Sequence, residues 1–136
     1  MKEWHVYIDG ASLGNPGHSG AGIVAFDDEG NEVWREAVYL GTMTNNMAEY
    51  EALVRAVRRA ADARVESLHL YTDSELVANQ WNGSYMVRNK RLMAYLIEAK
   101  ALTRGIPGVR VRHIPREKNK IADRLAKQAA EQAEKE

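Results

Sequence analysis

Four acidic residues stand in four distinct local frames: Asp9 in YIDGASLGNPG, Glu49 in TNNMAEYEAL, Asp73 in LYTDSELV and Asp123 in REKNKIADRLA. Asp9 and Asp73 fall where predicted strands end, and Glu49 and Asp123 in the first turns of predicted helices. Such positions can converge at one edge of a sheet. Four convergent carboxylates repel one another strongly unless cations neutralise them. Mg²⁺, a hard ion that seeks oxygen and shares its sites with substrate phosphates, fits such a set. Two such ions can serve phosphoryl chemistry on a nucleic acid.

Each acid taken singly has a plainer explanation. Asp9-Gly10 is a turn pair. Glu49 lies three residues after Asn46, the spacing of a capping box. Asp73 can cap the helix that opens with Ser74-Glu75-Leu76. Asp123 lies near the start of the last helix, where the helix dipole favours an acid. Taken jointly, these explanations require four acids at strand–helix boundaries by coincidence. Asn15, Thr44, Asn45 and Asn46 lie in nearby loops and offer short hydrogen-bonding side chains suited to sugar and phosphate oxygens. Such residues are equally common in ordinary turns.

The elements that must position these groups follow from the pattern. Trp4 to Ile8 alternates and reads as a strand. GASLGNPGHSG reads as a turn region. Gly22 to Phe26 is a second strand, Asp27 to Asn31 a hairpin turn, and Glu32 to Leu40 a third strand. Thr44 to Ala63 shifts to helical spacing, with Ala48, Ala52, Leu53, Ala56, Val57 and Ala60 on one stripe. Val65 to Thr72 is a fourth strand, reached by a crossover that implies parallel pairing. Ser74 to Trp81 is a short helix and Asn82 to Asn89 a loop. Arg91 to Arg104 is a longer helix, with Leu92, Tyr95, Leu96 and Ala99 inward. Val109 to Ile114 is strand five, and Lys118 to about Glu131 the last helix. The order βββαβααβα predicts an α/β fold, a mixed five-stranded sheet flanked by helices.

At 136 residues the chain is expected to be one domain, 1–136, with a sizeable core. Hydrophobic residues make up 45% and charged residues 28%, a soluble globular balance. There are no cysteines, hence no disulfides or thiolate metal sites. No apolar run reaches the roughly 20 residues a membrane helix needs, and MKEWHVYID reads as a strand rather than a signal peptide. A cytoplasmic monomer without membrane contact is expected. The net charge of zero hides an asymmetry. Residues 1–83 carry 6 Lys/Arg and 13 Asp/Glu, a balance of −7, while residues 84–127 carry 12 and 3, a balance of +9. The basic stretch can attract a polyanion locally, or it is a solvated surface.

The segments DGASLGNPG, TNNMAEYEAL, YTDSELV and HIPREKNKIADRLA resemble the motifs of type 1 ribonuclease H, in order and in spacing (40, 24 and 50 residues between successive acids). The resemblance covers essentially the whole chain and implies the ribonuclease H-like fold. It also implies an endoribonuclease that cleaves the RNA strand of RNA–DNA hybrids with two Mg²⁺ ions, Mn²⁺ being a possible substitute. By that resemblance Asp9 is the shared metal ligand, Glu49 and Asp73 complete the leaving-group side, and Asp123 holds the ion that activates water. The implied products carry 5′-phosphate and 3′-hydroxyl ends. His113, ten residues before Asp123, resembles the family's mobile histidine, which assists proton transfer or product release; a structural histidine at a strand end is the alternative. His5 and His69 read as strand residues and His18 as a loop residue.

The resemblance also implies how a hybrid is read. Ser12, Asn15, Asn45, Asn46 and Glu49 match positions that face the RNA strand, whose 2′-hydroxyls distinguish it from DNA. Thr44 and Asn89 match the phosphate pocket for the DNA strand. Trp81 matches an aromatic in the channel that tests for deoxyribose, or it is a core tryptophan ending a short helix. Some members carry a long basic protrusion after this point; here the span is only NGSYMVRNK. Arg88, Lys90 and Arg91 are then expected to supply the basic contacts, with modest, salt-sensitive affinity. No appended hybrid-binding domain is expected. Two other functions stay open: a catalytically silent hybrid-binding module, and a nuclease of this fold acting on RNA–RNA duplexes or junction strands.

Overall fold

The computed structural model describes residues 1–135. Its strands are β1 (Glu3–Leu13), β2 (Gly17–Asp27), β3 (Glu32–Met43), β4 (Ser67–Thr72) and β5 (Gly108–His113); its helices are α1 (Asn45–Asp62), α2 (Glu75–Trp81), α3 (Lys90–Leu102) and α4 (Lys120–Glu131). The strands form one sheet in the order β3-β2-β1-β4-β5. β1, β2 and β3 pair antiparallel, and β4 and β5 add parallel to β1. This is the mixed α/β architecture that the sequence pattern predicts.

Alternation in β1 divides the sheet into two faces. Trp4, Val6 and Ile8 join Ile23, Leu68 and Leu70 in the core. The predicted stripe of α1, from Ala48 to Ala60, is fully buried. Each buried Val, Leu or Ile contributes about 1.5–3 kcal/mol relative to exposure. On the same strand, Glu3, His5 and Tyr7 alternate with these residues and are only half-buried.

Two glycines let helices touch the sheet directly. A Cβ on Gly10 would lie 2.2 Å from the Ala48 carbonyl carbon and 2.3 Å from the Glu49 nitrogen. A Cβ on Gly22 would lie 2.2 Å from the Ala122 carbonyl oxygen and 2.5 Å from the Ala126 nitrogen. Gly10 therefore seats α1 against β1, and Gly22 seats the alanine-rich face of α4 against β2. Because Gly22 is the register partner of Asp9, these close approaches bring the acids of both helices to the middle of β1.

Several boundaries differ from the sequence reading. The segment GASLGNPGHSG is mostly strand: β1 runs on to Leu13, β2 begins at Gly17, and Ser12 pairs with Ser19. Gly10 is there for close approach, not for a turn. His18, read as a loop residue, is a β2 residue whose ring lies 2.7 Å from the Tyr39 hydroxyl. The last helix starts at Lys120, after a single 3₁₀ turn over Arg116–Lys118. In α3, Leu92 and Ala99 are buried, while Tyr95 and Leu96 are only partly so.

Candidate active site

Asp9 sits within β1 rather than at its end, and is buried. Asp73 follows β4 directly, one residue beyond Thr72, which pairs with Ile8. Glu49 arrives from α1 and is also buried. Asp9, Glu49 and Asp73 each offer a carboxylate oxygen, and all three oxygens lie within 4.8 Å of one another. Asp123, in the first turn of α4, lines the same cleft of about 340 Å³, together with Ser12, Asn45, Ser74, Arg116 and Lys127.

The capping explanations of these acids do not hold. Thr44, not Asn46, caps α1, and its Oγ1 accepts from the Met47 amide at 3.2 Å. Ser74, not Asp73, caps α2, its Oγ accepting from Val77 at 3.1 Å. Glu49 and Asp73 are thus free of cap duty.

The electrostatics are unfavourable as they stand. Burial, then the Asp73 charge, pushes the Asp9 carboxyl up to about 8. Burial, then Asp9, pushes Glu49 well above its usual range, with Gly10 pulling weakly the other way. Burial also raises Asp73, opposed by the Asn119 amide. The cluster therefore holds its protons more tightly than free carboxyls do. Glu49 Oε2 has no hydrogen-bond partner among the described residues. An all-oxygen set of two buried carboxyls and one half-buried carboxyl, with an unpartnered oxygen, suits a hard divalent cation. Asp123 differs: Lys127 Nζ lies 3.1 Å from one of its oxygens and Arg116 3.9 Å from the other.

The structure also shows a residue that the sequence reading did not single out. Asn119 is buried, and its Nδ2 donates to the Ile8 carbonyl at 2.9 Å, across 111 positions of chain. It ties the start of α4 to β1 beside Asp9 and Asp73. Its Oδ1 has no partner among the described residues. The only sequence hint is its place just ahead of α4, where an asparagine reads as an ordinary cap; yet its side chain makes no cap bond.

Other predicted residues lie outside the cleft lining. The Asn15 Oδ1 accepts from the Asn45 amide at 3.0 Å, and Asn46 is exposed. Asn89 caps α3, its Oδ1 accepting from Arg91 at 2.9 Å and Leu92 at 3.1 Å. Trp81 is a core residue, with the Lys100 ammonium 3.8 Å from its ring centroid. Arg88, Lys90 and Arg91 are exposed around Asn89. His113 is exposed at the end of β5, paired in register with Thr72 next to Asp73.

Comparison with known proteins gives concordant matches. A family model described as reverse transcriptase-like matches residues 7–129. Ribonuclease HI of Halobacterium salinarum is 37% identical over 129 residues, covering 95% of this chain and 65% of that protein. The crystal structure of RNase H1 from that halophilic archaeon has a TM-score of 0.90, covering 93% of this chain and 96% of that one. LC11-RNase H1, solved in complex with an RNA/DNA hybrid, also gives a TM-score of 0.90 at 35% identity, covering 96% of this chain and 98% of its own. The bifunctional protein Rv2228c of Mycobacterium tuberculosis is 33% identical over 94% of this chain, which spans only 35% of its length. The chain thus spans less than two thirds of the halobacterial protein and about a third of the mycobacterial one.

Proposed function

Because this chain belongs to the type 1 ribonuclease H family, we propose that it is an endonuclease hydrolysing the RNA strand of RNA–DNA hybrids, with two Mg²⁺ ions held by Asp9, Glu49, Asp73 and Asp123. The observation that carries this reading is the convergence of two buried carboxyls, Asp9 and Glu49, with the half-buried Asp73, all three with raised pKa values and Glu49 with an unpartnered oxygen. A binding module has no use for such a costly cluster, which argues against the catalytically silent alternative. When bound, the ions lower the pKa of the attacking water and stabilise the developing 3′-oxyanion, with Mn²⁺ able to substitute.

The chain's own residues set the geometry. Asp9, which feels the acids Glu49, Asp73 and Asp123 from three other parts of the fold, would be the ligand shared by the two ions. Lys127 and Arg116 steady Asp123 at the cleft rim. Asn119 anchors the approach of α4 to β1. Ser12 and Asn45, which line the cleft, are suited to the 2′-hydroxyl side of the RNA strand. His113 moves a proton during turnover or product release. Arg88, Lys90 and Arg91 attract the DNA strand, and Asn89 and Thr44 meet its phosphates. The products carry 5′-phosphate and 3′-hydroxyl ends.

The test is a labelled RNA–DNA hybrid beside RNA–RNA and DNA–DNA duplexes, with Mg²⁺, Mn²⁺ or EDTA. Cation-dependent cleavage of the RNA strand of the hybrid alone is expected. Cleavage of RNA–RNA duplex would favour the broader nuclease. Hybrid binding without cleavage in either cation would favour the silent module.

A further inference from the structure

At the opposite end of β1 from the carboxylate cleft stands a second cluster of different chemistry. His5 on β1 and His69 on β4 are register partners of the parallel pair. Their rings stack, with centroids 4.6 Å apart and planes 10° apart. The Nε2 of each lies 3.1 Å from the same oxygen, Glu3 Oε1. One potential ligand atom from each of the three residues therefore falls within a 4.8 Å cluster.

We propose that Glu3, His5 and His69 form a second cation site, selective for a divalent transition metal of the zinc class, that ties β1 to β4 independently of the carboxylate cleft. Two imidazoles and one carboxylate are a donor set used by zinc, with the remaining position left to water. Imidazole nitrogen is a poor ligand for Mg²⁺, so the two clusters divide cations by hardness. The two Nε2 atoms already converge on one point. Seating a cation between the two Nε2 atoms and Glu3 needs rotation about the terminal torsion of each ring, which is soft in histidine.

The surroundings favour ligation at His5 more than at His69. His5 Nδ1 lies 2.9 Å from the Tyr71 hydroxyl, an outer partner that turns Nε2 toward Glu3. Burial, then the neighbouring His5, holds His69 below the usual imidazole range. Its nitrogen is therefore neutral and available at neutral pH. Ser67 Oγ, 3.3 Å from His69 Nε2, can bond a water completing the coordination. His69 Nδ1 has no partner among the described residues, and Arg112 contributes an opposing charge. Both set the affinity below that of a closed structural zinc centre. Access is open, because all three side chains are partly exposed and His5 lines a surface cleft of about 560 Å³.

The experiment titrates Zn²⁺ by calorimetry into untagged protein held in excess Mg²⁺, which occupies the carboxylates. Wild type, Glu3→Gln, His69→Ala and Asp9→Asn are compared. One zinc per chain is expected in wild type and in Asp9→Asn, with affinity at least about tenfold weaker in Glu3→Gln and His69→Ala. Zinc should also raise the melting temperature of wild type but not of His69→Ala. Should His69→Ala fail to fold, Glu3→Gln at the strand's edge decides alone. Equal zinc affinity in wild type and the folded Glu3 and His69 variants overturns the site. Zinc binding lost only in Asp9→Asn overturns it as well, by assigning the metal to the carboxylates.

Discussion

The carboxylate cleft and the helix caps beside it use short polar side chains on neighbouring segments, to opposite effect. Thr44, Ser74 and Asn89 each accept hydrogen bonds from the first free amides of a helix. Asp9, Glu49 and Asp73 instead face one another, partly or fully buried, and all three are pushed to higher pKa. A cap satisfied within the chain lowers the energy of the fold. A carboxyl cluster left in conflict raises it, and is relieved only from outside. The difference separates side chains satisfied within the chain from side chains held in mutual conflict.

The largest expected effect breaks the conflict itself. Asp9→Asn should cut hybrid cleavage by on the order of 10³-fold or more, since the loss of about 4 kcal/mol of transition-state stabilisation has that effect. Hybrid binding should persist. Steady-state rates and a binding isotherm on the same preparation check both.

The next effect is structural. Gly22→Ala places a methyl 2.2 Å from the Ala122 carbonyl oxygen, which is backbone and cannot swing aside. A loss of about 2–3 kcal/mol in denaturant unfolding is expected. Activity should fall too, because α4 must lift and carry Asp123 away from Asp9.

Asn119→Ala should cost about 1–3 kcal/mol, since it strands the Ile8 carbonyl in a buried place. Urea melts read the stability. A fall in cleavage rate at saturating Mg²⁺ would separate its part in orienting the site from mere anchoring.

The smallest effect tests the cap side of the comparison. Asn89→Ala should cost about 1 kcal/mol of stability through loss of the α3 cap. Asn89→Asp keeps the cap and adds a charge that repels phosphate, so its stability should stay near wild type while hybrid binding weakens. Unchanged binding in Asn89→Asp would leave Asn89 as a cap alone.

Legibility in the sequence followed the same division. The order of elements and the buried stripe of α1 could be read because periodicity is local. The four acids could be read because each sits in a distinctive frame. What local pattern could not show was purpose. Gly10 looked like a turn former, yet it lies within a strand and serves the approach of α1. Asp73 looked like a cap, but the next residue, Ser74, takes that duty. Asn119 offered only the look of a cap, because its partner at Ile8 lies 111 residues away. Trp81 fitted two readings; its ring is held in the core under Lys100.

The central claim is that the acids are held in conflict until a divalent cation arrives, and melting temperature tests it most directly. A carboxyl whose folded pKa exceeds its unfolded value adds stability that is full below the unfolded pKa. That stability is lost as pH rises through the folded pKa, here up to about 8 for Asp9. Melting wild type and Asp9→Asn between pH 5 and pH 8, in EDTA and in Mg²⁺, compares the two states. In EDTA the wild type should lose stability as pH rises, Mg²⁺ should restore it at pH 8, and Asp9→Asn should show much less of both. Parallel curves for the two proteins, with no gain from Mg²⁺ at pH 8, would contradict the account.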